Sequence, residues 1–183
     1  MQGLKESAPG TPGRAAIITT SEKRWQGTLK QLHTWSSSIN YKRVPGNDRQ
    51  QTQALIESIE YLALRLASAQ DVCQQSVEAL DESLRKLLGR IYDACIESVR
   101  LITNSLANLQ PIPDLPDTRS LVGDIASRGD DLHRSAVGDE EVRSAVLGFM
   151  STTAHLRALA DAIHECRDKA NALDWEAWNR DYF

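Results

Sequence analysis

Between Asp48 and Gln110 the chain reads DRQQTQALIESIEYLALRLASAQDVCQQSVEALDESLRKLLGRIYDACIESVRLITNSLANLQ, sixty-three residues with no proline and one glycine, Gly89. Apolar residues recur along it at Leu55, Ile59, Leu62, Leu66, Ala69, Cys73, Val77, Leu80, Leu84, Leu87, Ile91, Cys95, Val99, Ile102, Leu106 and Leu109. Every step is three or four residues, and fifteen steps cover fifty-four positions, a mean of 3.6. That is the period of an α-helix with one apolar face. Asp48 or Asn47 can cap it. Unbroken, such a helix would be about 90 Å long at its rise per residue. No turn residue divides it, so the spacing predicts one continuous helix. Ala69-Gln70-Asp71 is the place where it would break or kink, with Asp71 able to cap a second helix, and Gly89 is a lesser candidate.

Proline and glycine set the limits of this stretch. Upstream, Val44-Pro45-Gly46-Asn47 ends a preceding helix that opens near Thr20, where Thr19 and Glu22 have capping-box spacing. That helix is expected to run to about Tyr41, with Trp25, Leu29, Leu32, Trp35 and Ile39 on one face, and the serines at 36–38 weaken its last turns. Downstream, Gln110-Pro-Ile-Pro-Asp-Leu-Pro116 holds three prolines, which cannot donate and exclude the helical conformation before them, so it reads as a rigid extended crossover. Asp117 then caps a helix over about 118–136, with Leu121, Val122, Ile125, Leu132 and Ala136 on a sparse face that Gly123 and Gly129 weaken. Val137-Gly138-Asp139 breaks it, and Asp139 caps a last helix over about 140–178. Glu140 and Glu141 suit the positive end of its dipole. Its stripe is Val142, Val146, Phe149, Thr153, Leu156, Ala160, Ile163 and Ala170. Residues 1–18 read as a flexible leader and 19–183 as a single helical domain. The fold class is all-α: an elongated antiparallel bundle of four to five helices built round one very long helix.

Composition fits that reading. Of 183 residues, 41% are apolar and 25% charged, the balance of a globular chain. The net charge of −4 supplies no basic footprint for nucleic acid. The first thirteen residues lack the apolar core of a secretory signal. No run approaches the roughly 20 apolar residues of a membrane span. A soluble, cytoplasmic protein is expected. Cys73, Cys95 and Cys166 are odd in number, have no metal or redox spacing, and lie on or beside helix stripes. They read as reduced, small hydrophobes.

Several constellations carry chemistry on paper. Asp130-x-x-His133 and Asp161-x-x-His164 each set a carboxylate one turn from an imidazole, a spacing used with Glu in di-iron bundles. The bridging glutamates that such a centre needs are not apparent, since Glu57, Glu60, Glu78, Glu82 and Glu97 fall beside the stripe. These residues are therefore read as flanking polar groups rather than metal ligands. His164-Glu165-Cys166 brings an imidazole near a thiol in sequence, but residues two apart on a helix point away from each other. No glycine loop for phosphate and no nucleophile elbow occurs. Arg85, Lys86, Arg90 and Arg100 read as a solvated face, and Glu82 supports Lys86 across one turn. No catalytic, cofactor or metal site is assigned. Trp25 and Trp35 near one end, with Trp175, Trp178, Tyr182 and Phe183 at the other, suggest a seam between first and last helices. A contact with a membrane interface or a partner is the second reading; Asp174, Glu176 and Asp181 argue against an anionic bilayer.

The segment RVPGNDRQQTQALIESIEYLALRLASAQ (43–70) resembles the helical portions of fusaric acid resistance or aromatic acid exporter proteins of the inner membrane. LRALADAI (156–163) is similar in style. The likeness covers about half the chain and is compositional. It implies a cytoplasmic helical module at the inner face of the inner membrane, attached to spans that export aromatic acids. This chain has no such span, so it would be a fragment, an excised domain or a relative without the transporter. The resemblance implies a non-enzymatic domain that acts through helix–helix contacts with protein, either itself or a membrane transporter segment. The alternative is a stand-alone signalling or adaptor bundle that forms a homodimer, and a third class is a metal- or thiol-dependent enzyme built in the core.

Overall fold

The structure is a computed structural model that describes residues 27–73, 82–135 and 140–179, with the side chains of residues 43, 70–73, 130–135 and 140–145 outside the description. Every regular element among them is helical. After a helix α1 over 27–38 come a short 3₁₀ turn (Tyr41–Arg43), α2 (Arg49–Cys73), α3 (Glu82–Ala107), α4 (Thr118–Ser135), α5 (Glu140–Asn171) and α6 (Trp175–Asn179). Contacts divide the chain into two compact units, residues 1–40 and 41–183. The expected leader boundary at residue 18 and the expected start of the first helix near Thr20 lie outside the described residues. No helix among them is long and apolar enough to cross a membrane.

In the first unit, α1 stops at residue 38 rather than near Tyr41. The hydroxyls of Thr34, Ser36, Ser37 and Ser38 donate to backbone carbonyls three or four residues earlier, at 2.7–3.0 Å. Such local bonds compete with continued helix, which is why the serine run ends it.

In the second unit, the stretch from 48 to 110 is two helices, not one. Asn47, just before α2, is hydrogen-bonded to Asp174, and Leu109, just after α3, accepts from Asn179. Both ends of the stretch thus lie at the same end of the unit. A continuous helix would hold them about 90 Å apart, so α2 and α3 run in opposite directions. The 3.6 period persists through 73–82 in sequence, but period reports which face is buried and says nothing of direction. The longest helix described is α5, at 32 residues.

That helix is also the hub. It packs on α2, α4 and α3, while α3 packs on α4 as well. Ser58 of α2 meets Cys166, Thr118 of α4 meets His164, and Arg128 of α4 meets Ser83. These pairs give an alternating up-and-down order in which α2 and α4 run against α5, and α3 runs with it. Three neighbours require more than one buried stripe on α5. Adjacent positions are accordingly buried in pairs: Thr152 with Thr153, Leu159 with Ala160, Ala162 with Ile163. The buried line of α3 is Leu84, Leu88, Ile91, Cys95, Ser98 and Ile102. Leu88 and Ser98 thus replace the expected Leu87 and Val99. Ser98 is fully buried because its hydroxyl is satisfied by the Ala94 carbonyl at 2.7 Å.

The connections converge at one end of the bundle, and three asparagines tie them. Asn171 Nδ2 donates to the Ile112 carbonyl at 2.9 Å, and the Ile112 N–H donates back to Asn171 Oδ1 at 2.7 Å. Asn47 does the same to the Asp174 backbone, at 3.0 and 2.8 Å. Asn179 donates to the Leu109 carbonyl at 2.9 Å. The Asn171 and Asn47 clamps are each the amide equivalent of a backbone pair, placed where proline or a turn leaves the main chain without helix partners. Caps stand where expected. Asp48 and Gln51 exchange side-chain to backbone bonds at 2.7 and 3.0 Å, a full capping box. Asp117 accepts from the Ser120 N–H. The last helix, expected to run to about 178, ends instead at Asn171, and Asp174 opens the separate α6 by accepting from the Ala177 N–H. α3 ends with the bonds Gln110 N–H to Ser105 O and Leu109 N–H to Leu106 O, a Schellman motif whose left-handed residue is Leu109, at φ 51°. Trp175 and Trp178 are buried at this end, with Trp175 Nε1 donating to the Ala170 carbonyl; Trp35 in α1 is half exposed. Trp25, Tyr182 and Phe183 lie outside the described residues.

Glycine matters at two places. Gly46 sits at φ +86° with no room for a Cβ, which would fall 2.8 Å from Asp174 Oδ2. Gly129, expected only to weaken α4, lets it approach α5: a Cβ there would lie 2.5 Å from Phe149 Cε1. Gly123, one and a half turns earlier, faces open space.

Urea unfolding tests the close contact and the clamp through three variants. Gly123→Ala should stabilise by about 0.4–1 kcal/mol, whereas Gly129→Ala should destabilise by about 1–3 kcal/mol through overpacking. Asn171→Ala leaves both polar groups of buried Ile112 unpaired and should cost about 1–3 kcal/mol. Equal small effects at both glycines, or a neutral Asn171→Ala, would contradict this account of the close contact and the clamp.

Candidate functional site

Of the chemistry-bearing residues that the sequence singles out, Asp161 and His164 lie together at one seam, between the start of α4 and the second half of α5. Asp117 caps α4 and so fixes the next two side chains. Thr118, fully buried, is hydrogen-bonded through its hydroxyl to His164 Nε2 at 3.3 Å. Arg119 Nε donates to Asp161 Oδ1 at 2.9 Å. Asp161 and His164 are one turn apart on α5, so both reach α4, as their spacing requires. One turn further, Arg167 Nη2 donates to Asp114 Oδ1 at 2.5 Å, tying the proline crossover to α5.

This arrangement bears on the metal reading of Asp161 and His164. The carboxylate is held by a guanidinium, and the imidazole faces a hydroxyl with Arg119 and Arg167 nearby. Two cations beside a prospective ligand pair oppose a metal ion. Among the described residues no three metal-ligating side chains come together. The Asp130 and His133 side chains lie outside the described residues. Burial lowers the His164 pKa from its ordinary value; Arg119 and Arg167 add to that, and Asp168 and Asp117 oppose it.

The thiol is equally committed to packing. Cys166 is fully buried, with the Ser58 hydroxyl of α2 against it. Desolvation pushes its pKa up to about 11, the opposite of what a nucleophile needs. His164 turns to α4 and Cys166 to α2, so the His–Cys pair does not form. Cys95 is buried as well, and neither it nor Cys166 is disulfide-bonded; the Cys73 side chain lies outside the described residues. On the face of α3, Glu82 pairs with Arg85 and Lys86, each at 3.5 Å, and Glu97 pairs with Arg100 at 3.6 Å. These exposed pairs contribute at most about 1 kcal/mol each.

Thr118, Arg119 and Ser58 escaped the sequence reading. Nothing in their local spacing marks the contacts with His164, Asp161 and Cys166, because each is made to another helix; the Ser58 hydroxyl also donates to the Leu55 carbonyl of its own helix at 2.7 Å. No family model, no curated protein and no solved structure matches the chain. The class that the fold and this seam define is an all-α bundle whose polar groups staple helices together.

The His164 and Cys166 environments each make stability depend on pH. A histidine whose folded pKa lies below its unfolded one contributes stability present above pH about 6.5 and lost as pH falls through the folded value. A thiol raised to about 11 contributes stability present below about 9 and lost as pH rises towards 11. Urea midpoints should therefore decline on both sides of this window, and His164→Gln should flatten the acid limb. Cys166 should resist a thiol reagent at pH 8 until the protein unfolds; rapid labelling of the native state would contradict its burial.

Proposed function

We propose that the chain is a non-enzymatic helical interaction module of the transporter-associated kind. Such a module works through helix–helix contacts, at the cytoplasmic face of a membrane that other segments span. The fusaric acid resistance or aromatic acid exporter resemblance motivates that setting. The observation that carries the non-enzymatic reading is the commitment of His164, Asp161 and Cys166 to Thr118, Arg119 and Ser58. Groups so engaged are poor acids, bases and nucleophiles. A helical partner is offered exposed apolar side chains: Leu64, Ile96 and Leu147 are 60%, 66% and 57% exposed.

A stand-alone adaptor that dimerises is the second reading, supported by Leu147 and Met150, which are both exposed three residues apart on α5. Sedimentation velocity over a wide concentration range, together with fractionation of source cells, separates the two. A monomer recovered with membranes is the result expected of the transporter-associated module. A monomer–dimer equilibrium abolished by Leu147→Asp with Met150→Asp is expected of the adaptor. A monomer confined to the soluble fraction would sink the first reading.

A further inference from the structure

The first turns of α3 carry Arg85, Lys86 and Arg90, for which the sequence offers only a solvated face. The fold adds a fourth cation from another helix. Arg128 of α4 comes against that face and its Nη1 donates to Ser83 Oγ at 3.0 Å. An open cleft of about 540 Å³ results, lined by Glu82, Ser83, Lys86, Leu87, Arg90 and Arg128. Among the described residues, three cations thus line it with one carboxylate. Glu82 is engaged along its own helix by Arg85 and Lys86. Among the described residues no carboxylate pairs with Arg90 or Arg128. This local positive excess stands in a chain of net charge −4.

We propose that this cleft binds a phosphoryl group through Arg90 and Arg128, with Lys86 and Ser83 as further donors. Planar guanidinium groups present paired N–H donors that match the oxygens of a phosphoryl group, and ammonium and hydroxyl donors extend that match. The Arg128–Ser83 bond sets one guanidinium in place before any ligand arrives, which lowers the ordering cost of binding. The volume lies in the range of small-ligand clefts. The same chemistry serves a free phosphorylated molecule and a phospholipid headgroup.

Two probes distinguish those sources: calorimetric titration with inorganic pyrophosphate, and flotation with phosphatidylcholine vesicles with or without phosphatidylglycerol. The wild-type chain should bind pyrophosphate or the anionic vesicles. Arg90→Ala with Arg128→Ala should weaken that binding by about tenfold or more, the worth of one lost charge-assisted hydrogen bond or more. Arg100→Ala, a guanidinium of the same helix outside the cleft, should leave it unchanged. Arg90→Lys with Arg128→Lys should retain part of the affinity, and unaltered helical circular dichroism shows that each variant folds. Binding of neither probe by the wild type, or equal weakening by Arg100→Ala, would overturn the proposal.

Discussion

The bundle depends on the side-chain amides that hold its connections where no backbone partner exists. The proline crossover cannot join a helix, yet Ile112 within it is buried and must satisfy its N–H and C=O. Asn171 supplies both partners at once. Asn47 does the same for Asp174, where the chain leaves α5 for α6. The two clamps fix the start of α2 and the start of the α3–α4 crossover against the end of α5. Once those ends are pinned together, α2 and α3 have to run in opposite directions.

From that constraint comes the role of α5. A helix with neighbours α2, α3 and α4 buries small residues side by side with large ones: Ala160, Ala162 and Ala170 are fully or almost fully buried. Small side chains let helices approach closely, and Gly129 does the same on α4 where Phe149 fills the gap. Packing at this density makes each position sensitive to a single methyl group.

Polar residues in this chain act as staples. His164, Asp161, Arg167 and Cys166 lie on one half of α5, and each meets a residue of another helix or of the crossover. The same side chains arranged round a shared void would be a reactive centre. Here the low-dielectric surroundings of Cys166 hold the thiol neutral, and burial of His164, with the two arginines near it, disfavours its cation. The contrast with the α3–α4 cleft lies in charge balance, since Arg90 and Arg128 have no carboxylate to answer them among the described residues.

Much of the fold was legible along the chain. A 3.6 period marks helix and buried face together, and Asp48, Asp117 and the three prolines mark ends, because caps and breakers act within four residues. Local physics therefore decided the helices α2 to α5 and the all-α class. It left open whether the 48–110 stretch doubles back, since an uninterrupted period is compatible with one helix or two. It also gave no sign that Asn171 and Asn47 are clamps, or that Arg119, Thr118, Ser58 and Arg128 have partners 42 to 108 residues away. A side chain's partner across helices is set by relative direction and rotation, which no local spacing encodes. The sequence by itself determined the helices and most of their inward faces. Tertiary structure alone decided their directions, the central place of α5, and which polar groups are used up in packing and which face an open cleft.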